Sequence, residues 1–171
     1  SPSKLIGIVG TSRSTTSILA AKATNIYEIP MISGYATSDE LSDKVRFPYF
    51  LRTAPPDKLQ ARAIIDTLLE FNWLYVGVMY SIDTYGIRGT QELLNLAEEH
   101  NICVAFSVAV RKTTTESEIQ EAVTKIKEFD KAKVFVMFGG YTGMYRILQE
   151  FHKIKPNEKL TLVGSDAFAY F

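Results

Sequence analysis

Short runs of almost entirely apolar residues alternate with amphipathic segments along the whole chain. The clearest runs are LIGIV (5–9), WLYVGVMY (73–80), CVAFSVAV (103–110) and KVFVMF (133–138). Strands this uniformly apolar are covered on both faces, and the helices between them provide the crossovers that parallel strands need. The alternation therefore predicts the α/β class, with mostly parallel, doubly wound sheets.

The remaining segments follow the same order. Further strands are predicted at 29–33, 47–53 and 160–164. Helical spacing of apolar residues predicts helices over 14–26, 57–71 and 88–100, a fourth after a capping box formed by Thr115 and Glu118, and a fifth around 144–151. Pro55 and Pro56 interrupt the pattern. From the pattern alone this break is either a loop, which it slightly favours, or a crossing between two lobes.

Composition narrows the functional classes. Basic and acidic residues number 19 each, so the net charge is zero, and no basic stripe with interleaved aromatic residues suggests a nucleic-acid partner. No apolar run approaches the roughly 20 residues of a membrane-spanning helix. The single cysteine, Cys103, has no second cysteine for a metal cluster or an internal disulfide. We therefore expect no nucleic acid, no metal and no cofactor.

Polar residues follow four of the predicted strands, in GTSRSTTS (10–17), GYATS (34–38), SIDTYG (81–86) and GSDAF (164–168). Ligands of open α/β sheets bind outside the carboxyl ends of the strands. The hydroxyls, tyrosine and acids of these segments suit a small zwitterion. The run at 10–17 also meets a predicted helix N-terminus, whose free N–H groups attract anions. Its hydroxyls either cap that helix or bind a ligand, and the pattern leaves both open.

Sequence motifs for nucleotide chemistry and for hydrolysis are missing. Gly7 and Gly10 lack the third glycine of a dinucleotide fingerprint, and neither a phosphate-binding G-K-[ST] motif nor a nucleophile elbow occurs. We therefore expect a binding protein rather than an enzyme. A doubly wound enzyme that uses a nucleotide is the alternative from another class.

Several longer motifs extend over essentially the whole chain: LSDK, FLRT-x-P-x-D-x-x-QA-x-A, W-x-YV and YG-x-x-G, followed by HNICVAFS and LVGSDAFA. In these motifs the chain resembles the extracellular domain of class C G-protein-coupled receptors, which include the metabotropic glutamate and calcium-sensing receptors. The resemblance implies a two-lobed Venus-flytrap fold of periplasmic-binding-protein type I. It places residues 1–54 in part of lobe 1 and residues 55–171 in lobe 2, so that the proline break is a crossing. It also implies a partial chain.

The resemblance implies an amino-acid site at matching positions. Ser14 and Thr37 of lobe 1 match residues that hold the α-carboxylate, and Thr37 also contacts the ammonium. Asp57, Tyr85 and Asp166 match the lobe 2 residues around the ammonium. Hydroxyls suit a carboxylate, and acids suit an ammonium. The structural alternatives are a helix cap for Asp57, a packing role for Tyr85 and a turn for Asp166.

The sequence departs from the family pattern beside this site. Tyr35 stands where the family has a small residue, and Arg13 replaces a small polar residue. We expect these two residues and Ala36 to modify the pocket. The basic residues that grip the distal carboxylate of glutamate belong to family segments that this chain lacks. The resemblance therefore implies an L-α-amino acid, with a glutamate-like ligand possible rather than specified.

The resemblance also has implications for partners and location. Cys103 matches the lobe 2 cysteine that bridges to a cysteine-rich domain, so its disulfide partner would lie beyond Phe171. A homo- or heterodimer through lobe 1 is implied, as is a heterotrimeric G protein reached only through an absent membrane domain. The chain would lie on the extracellular side of the cell membrane. The alternatives are a soluble periplasmic-type amino-acid-binding protein and a partner subunit that binds no ligand because Tyr35 fills its pocket.

Overall fold

Seven strands alternate with five α-helices in the computed structural model, which describes residues 4–168. The strands are β1 (Ile8–Val9), β2 (Met31–Ser33), β3 (Phe50–Arg52), β4 (Tyr75–Ser81), β5 (Cys103–Val110), β6 (Val134–Phe138) and β7 (Thr161–Gly164). The helices are α1 (Ser14–Ile26), α2 (Asp57–Glu70), α3 (Thr84–Glu99), α4 (Glu116–Glu128) and α5 (Tyr141–Ile154), with short 3-10 helices at Asp39–Ser42 and Asp166–Phe168. Every strand pairing is parallel, which confirms the predicted α/β class.

The chain divides into two compact units, with the boundary between Leu59 and Gln60. This boundary lies inside α2, a few residues after the predicted crossing at 54–56. The assignment of residues 1–54 and 55–171 to two lobes stays a prediction, and its ends at 1–3 and 169–171 lie outside the described residues.

The first unit contains a three-stranded sheet in the order β1-β2-β3. One face of this sheet and α1 form a core in which Ile18, Ala21, Met31 and Phe50 are buried. Alternate strand residues point to opposite faces. Val9, Ile32 and Leu51 are aligned across the three strands on the other face, and all three are exposed.

The second unit contains a four-stranded sheet in the order β5-β4-β6-β7. Along β6, Phe135 and Met137 belong to a core with α4 and α5, whereas Val136 and Phe138 belong to a core with α2 and α3. Helices therefore cover both faces of this sheet, as the uniformly apolar strands predict. Within α3, a Cβ on Gly89 would lie 1.9 Å from the Phe138 ring, so this close packing requires glycine.

The start of α3 differs from the prediction. The apolar spacing predicts a helix from residue 88, but α3 begins at Thr84 because Asp83 caps it: the Asp83 Oδ1 accepts from the Gly86 amide at 2.8 Å. Apolar periodicity does not mark a first turn whose beginning is set by a polar cap. As a result Tyr85 lies in the first turn of a helix and not in a loop. The capping box of α4 is confirmed, since the Thr115 amide donates to Glu118 Oε2 at 2.8 Å.

Candidate functional site

Half of the hydroxyls in the run at 10–17 form hydrogen bonds within their own loop. Thr11 Oγ1 lies 2.8 Å from both Thr16 Oγ1 and Ser17 Oγ, and Ser33 Oγ donates to the Thr11 carbonyl at 2.6 Å. The residue that precedes α1 is Arg13, whose side chain makes no capping hydrogen bond. Simple capping by a hydroxyl at that position therefore does not account for the run. Three of its six hydroxyls, those of Thr11, Thr16 and Ser17, fix the backbone between β1 and α1.

Ser14, unlike Thr11, Thr16 and Ser17, forms a side-chain hydrogen bond outside its own loop. It is the first residue of α1, is buried, and its Oγ accepts from the Ser38 amide at 3.2 Å. That hydrogen bond ties the N-terminus of α1 to the loop that follows β2. Thr37, which precedes Ser38 in this loop, is also buried. Its carbonyl accepts from the Asp57 amide at 2.9 Å. The structure thus brings Ser14, Thr37 and Asp57 together within the first unit.

Arg52, at the end of β3, holds the loop that carries Thr37. Its guanidinium donates to the Ser38 carbonyl at 2.8 Å, to the Ala36 carbonyl at 3.3 Å and to Ser42 Oγ at 2.5 Å. Burial lowers the pKa of Arg52, while the negative charges of Asp39 and Asp57 act in the opposite direction. Asp57 is fully buried, so its negative charge acts on this arginine from inside the first unit. Sequence reasoning missed Arg52, although it lies in the FLRT motif at a strand's carboxyl end.

The three predicted pocket modifiers differ in environment. Arg13 and Tyr35 are exposed, and 64% of the Tyr35 surface is accessible, so its ring lies outside the core of the first unit. Ala36 is fully buried within that core, and its amide donates to Ser33 Oγ at 3.0 Å. Their influence on a ligand stays a prediction.

In the second unit, polar groups gather where β4, β6 and β7 end. The Gly139 amide donates to Ser165 Oγ at 3.2 Å. Gly139 has φ +147°, and a Cβ there would lie 2.3 Å from Ser81 Oγ, so only glycine fits this turn. Beside it, the Tyr85 hydroxyl donates to Asp166 Oδ1 at 2.5 Å. The structure therefore brings together two of the predicted ammonium-binding residues, 81 positions apart in sequence.

A third side chain joins this pair and was missed by sequence reasoning. Gln60 Nε2 donates to the Tyr85 hydroxyl at 3.1 Å, and Gln60 Oε1 accepts from the Asp166 amide. The available signal was the QA dipeptide of the D-x-x-QA motif, one helical turn after Asp57. A ring of hydrogen bonds therefore links Gln60, Tyr85 and Asp166.

Cys103 has an exposed, free thiol at the start of β5, and its amide donates to the Leu74 carbonyl at 2.8 Å. The disulfide implied by the resemblance stays a prediction. Within residues 4–168, no group of three or more His, Cys, Asp or Glu side chains could hold a metal ion. The helices of that same range include none long and apolar enough to cross a membrane.

Comparison with known proteins agrees with this fold. Residues 3–170 match the family described as the receptor family ligand binding region. Human metabotropic glutamate receptor 8 is 30% identical over 168 residues, which make up 98% of this chain and 18% of that receptor. The Drosophila melanogaster metabotropic glutamate receptor is 32% identical over 164 residues, 96% of this chain and 17% of that receptor.

Rabbit (Oryctolagus cuniculus) metabotropic glutamate receptor 6 is 29% identical over 168 residues, 98% of this chain and 19% of that receptor. The chain thus spans less than a fifth of the length of the curated relatives it matches. These relatives are receptors and not enzymes. The chain belongs to the receptor family ligand binding region, as a ligand-binding domain that resembles the extracellular domain of metabotropic glutamate receptor-like class C receptors.

Proposed function

We propose that this chain binds an L-α-amino acid as part of the extracellular domain of a class C receptor. The observation that carries the proposal is the contact between the Tyr85 hydroxyl and the Asp166 carboxylate, at the carboxyl ends of the strands of the second unit. A tyrosine and an exposed carboxylate form a suitable acceptor for an ammonium. The names of the relatives support an amino-acid ligand, since each is a glutamate receptor.

In this proposal the ligand's two charged groups have separate partners. Ser14 and Thr37, with the N-terminus of α1, bind the carboxylate. Asp166 and Tyr85 bind the ammonium, and Asp57 adds negative charge while holding the Thr37 loop through its amide. A ligand favours a closed receptor only by contacts that the open state lacks, so closure requires that one amino acid contact both sets of residues.

The activity of the whole receptor is part of the same proposal. The chain would lie on the extracellular side of a cell membrane and associate as a homo- or heterodimer. A heterotrimeric G protein would be reached through a membrane domain of the longer polypeptide. We expect no enzymatic activity. Whether glutamate or another amino acid is preferred depends on residues that contact the ligand's side chain.

Calorimetric titration of the longer polypeptide with a panel of L-amino acids, glutamate included, tests the proposal. We expect one member of the panel to bind, and Ser14→Ala or Asp166→Asn to weaken its binding by about tenfold or more, because a hydrogen bond to a charged group contributes about 1.5–3 kcal/mol. Asp130→Asn, an exposed aspartate of the second unit, is the matched control and should leave binding unchanged. Binding that both site variants leave undiminished would overturn the assignment of the site. No binding by the unaltered protein would favour a partner subunit without ligand.

A further inference from the structure

Gln60 has two partners that are far apart in sequence. Its side chain accepts from the Asp166 amide and donates to the Tyr85 hydroxyl at 3.1 Å. The hydroxyl in turn donates to Asp166 Oδ1 at 2.5 Å, which closes the ring. Gln60 and Tyr85 are half-buried and Asp166 is exposed, so the ring lies at the surface of the second unit, where a solute can reach the acid.

The chemistry of the groups fixes the direction of every hydrogen bond in this ring. A backbone N–H only donates, so the Gln60 amide must turn its oxygen towards Asp166. Its NH₂ group then faces Tyr85, whose oxygen accepts. The phenol proton is left for the Asp166 carboxylate, which accepts only. The ring therefore has one arrangement of donors and acceptors, and glutamate or methionine at position 60 could not reproduce it.

The ring also leaves one oxygen of Asp166 available. Both donors that reach the carboxylate, the Tyr85 hydroxyl and the Ala167 amide at 2.7 Å, contact Oδ1. Among the groups that the structure describes, no donor contacts Oδ2. An exposed acid in a three-residue 3-10 helix would otherwise lose side-chain freedom when it binds a ligand. The ring removes part of that freedom beforehand.

We propose that Gln60 is a positioning residue that holds Tyr85 and Asp166 as a single preorganised acceptor for the ammonium of the ligand. Gln60 acts through these two residues and needs no contact with the ligand. This inference rests on the proposed function, because it assumes that an ammonium binds at Asp166.

Two variants separate the two hydrogen bonds of the Gln60 side-chain amide, one to Tyr85 and one to Asp166. Gln60→Met has similar length but removes both hydrogen bonds. Gln60→Glu keeps an acceptor for the Asp166 amide and removes the donor to Tyr85. The matched control is Gln91→Met on the exposed face of α3, where the side-chain amide donates to Asn95 at 3.1 Å.

NMR of the 171-residue chain without ligand monitors each of these two hydrogen bonds separately. In Gln60→Met we expect the Asp166 amide proton to exchange about tenfold faster and the Tyr85 ring-carbon resonances to shift. In Gln60→Glu the Tyr85 resonances should shift, while the Asp166 exchange rate stays near that of the unaltered chain. Gln91→Met should change neither. General damage to the fold would change both the Asp166 exchange rate and the Tyr85 resonances in both variants. That result would overturn the proposal that the two hydrogen bonds of Gln60 act separately on Asp166 and Tyr85.

Calorimetry with glutamate and with the panel's tightest-binding amino acid, on the longer polypeptide, completes the test. Gln60→Met should weaken binding by about tenfold, with a thermal unfolding midpoint close to that of Gln91→Met. If the unaltered protein binds and Gln60→Met binds equally well, the positioning role is wrong while the proposed function stands. If the unaltered protein binds no amino acid, the proposed function fails and the positioning role fails with it.

Discussion

At the scale of single residues, the role of a side chain depends on its hydrogen-bond partners as well as on its residue type. The sequence identified hydroxyls, a tyrosine and acids at the ends of strands, and the structure brings Ser14, Thr37 and Asp57 together in one unit and Tyr85 and Asp166 in the other. It could not identify Arg52 or Gln60 as the residues that hold these groups. Their roles depend on hydrogen bonds to segments distant in sequence, which residue type and spacing do not encode.

Arg52 provides a prediction at this scale. Arg52→Met should lower the free energy of unfolding by about 1–3 kcal/mol, because two loop carbonyls and Ser42 lose their donor. Arg52→Lys should recover only part of this, since an ammonium cannot reproduce the guanidinium fork. Urea unfolding measures the loss.

The control for Arg52 is Arg62→Met, which removes an exposed ion pair to Asp66 at 3.0 Å. Such pairs contribute only about 0.3–0.5 kcal/mol. Equal losses in Arg52→Met and Arg62→Met would show that the clamp on the loop contributes nothing to stability.

At the scale of elements, periodicity predicted most helices and strands, and local polar chemistry set their ends. The capping box of α4 was readable because Thr115 and Glu118 have the required spacing. The start of α3 was not predicted from the sequence, because the Asp83 side chain stabilises a first turn that apolar spacing does not mark. Strand β1 is also shorter than the apolar run that contains it, since only Ile8 and Val9 pair with β2.

The capping box predicts a pH effect on stability. Hydrogen bonds from the Thr115 amide and hydroxyl, with the Arg111 guanidinium beside them, lower the pKa of Glu118 below its ordinary value of 4.5. A folded-state pKa below that of the unfolded chain stabilises the fold above pH 4.5. That stabilisation is lost as the pH falls through the lowered pKa. Glu118→Gln should therefore reduce the loss of stability in acid.

Urea midpoints at neutral pH and near pH 3 measure this effect. Glu121→Gln, an exposed glutamate on the same helix, controls for the loss of one negative charge. The same acid sensitivity in Glu118→Gln and Glu121→Gln would contradict the role of the capping box.

At the scale of the whole molecule, the sheets of the two units differ in how many of their faces are covered by helices. The sheet of the second unit has helices on both faces, and every residue of β6 is buried. The sheet of the first unit is covered on one face by α1, while Val9, Ile32 and Leu51 remain exposed on the other. The uniformly apolar strands predicted two-sided cover for both sheets, and within the described residues only the second has it.

This difference predicts unequal local stability. Amides of β4 and β6 should exchange with solvent at least about tenfold more slowly than those of β1 and β2, because local opening requires less apolar surface to be exposed where one face is bare. Hydrogen exchange of the unaltered chain, followed by mass spectrometry, measures the rates by segment. Exchange in β1 and β2 as slow as in β6 would contradict this assignment of local stability.

The sequence by itself determined the α/β class, the parallel pairing, the order of the elements and the family, since these depend on periodicity and on motifs local to the chain. The tertiary structure alone decided that Arg52 clamps the Thr37 loop and that Gln60 joins Tyr85 to Asp166. It also decided that Thr11, Thr16 and Ser17 of the 10–17 run form hydrogen bonds within their own loop. The physical reason is that a hydrogen bond depends on position and direction in space, and these exist only once distant segments have packed together.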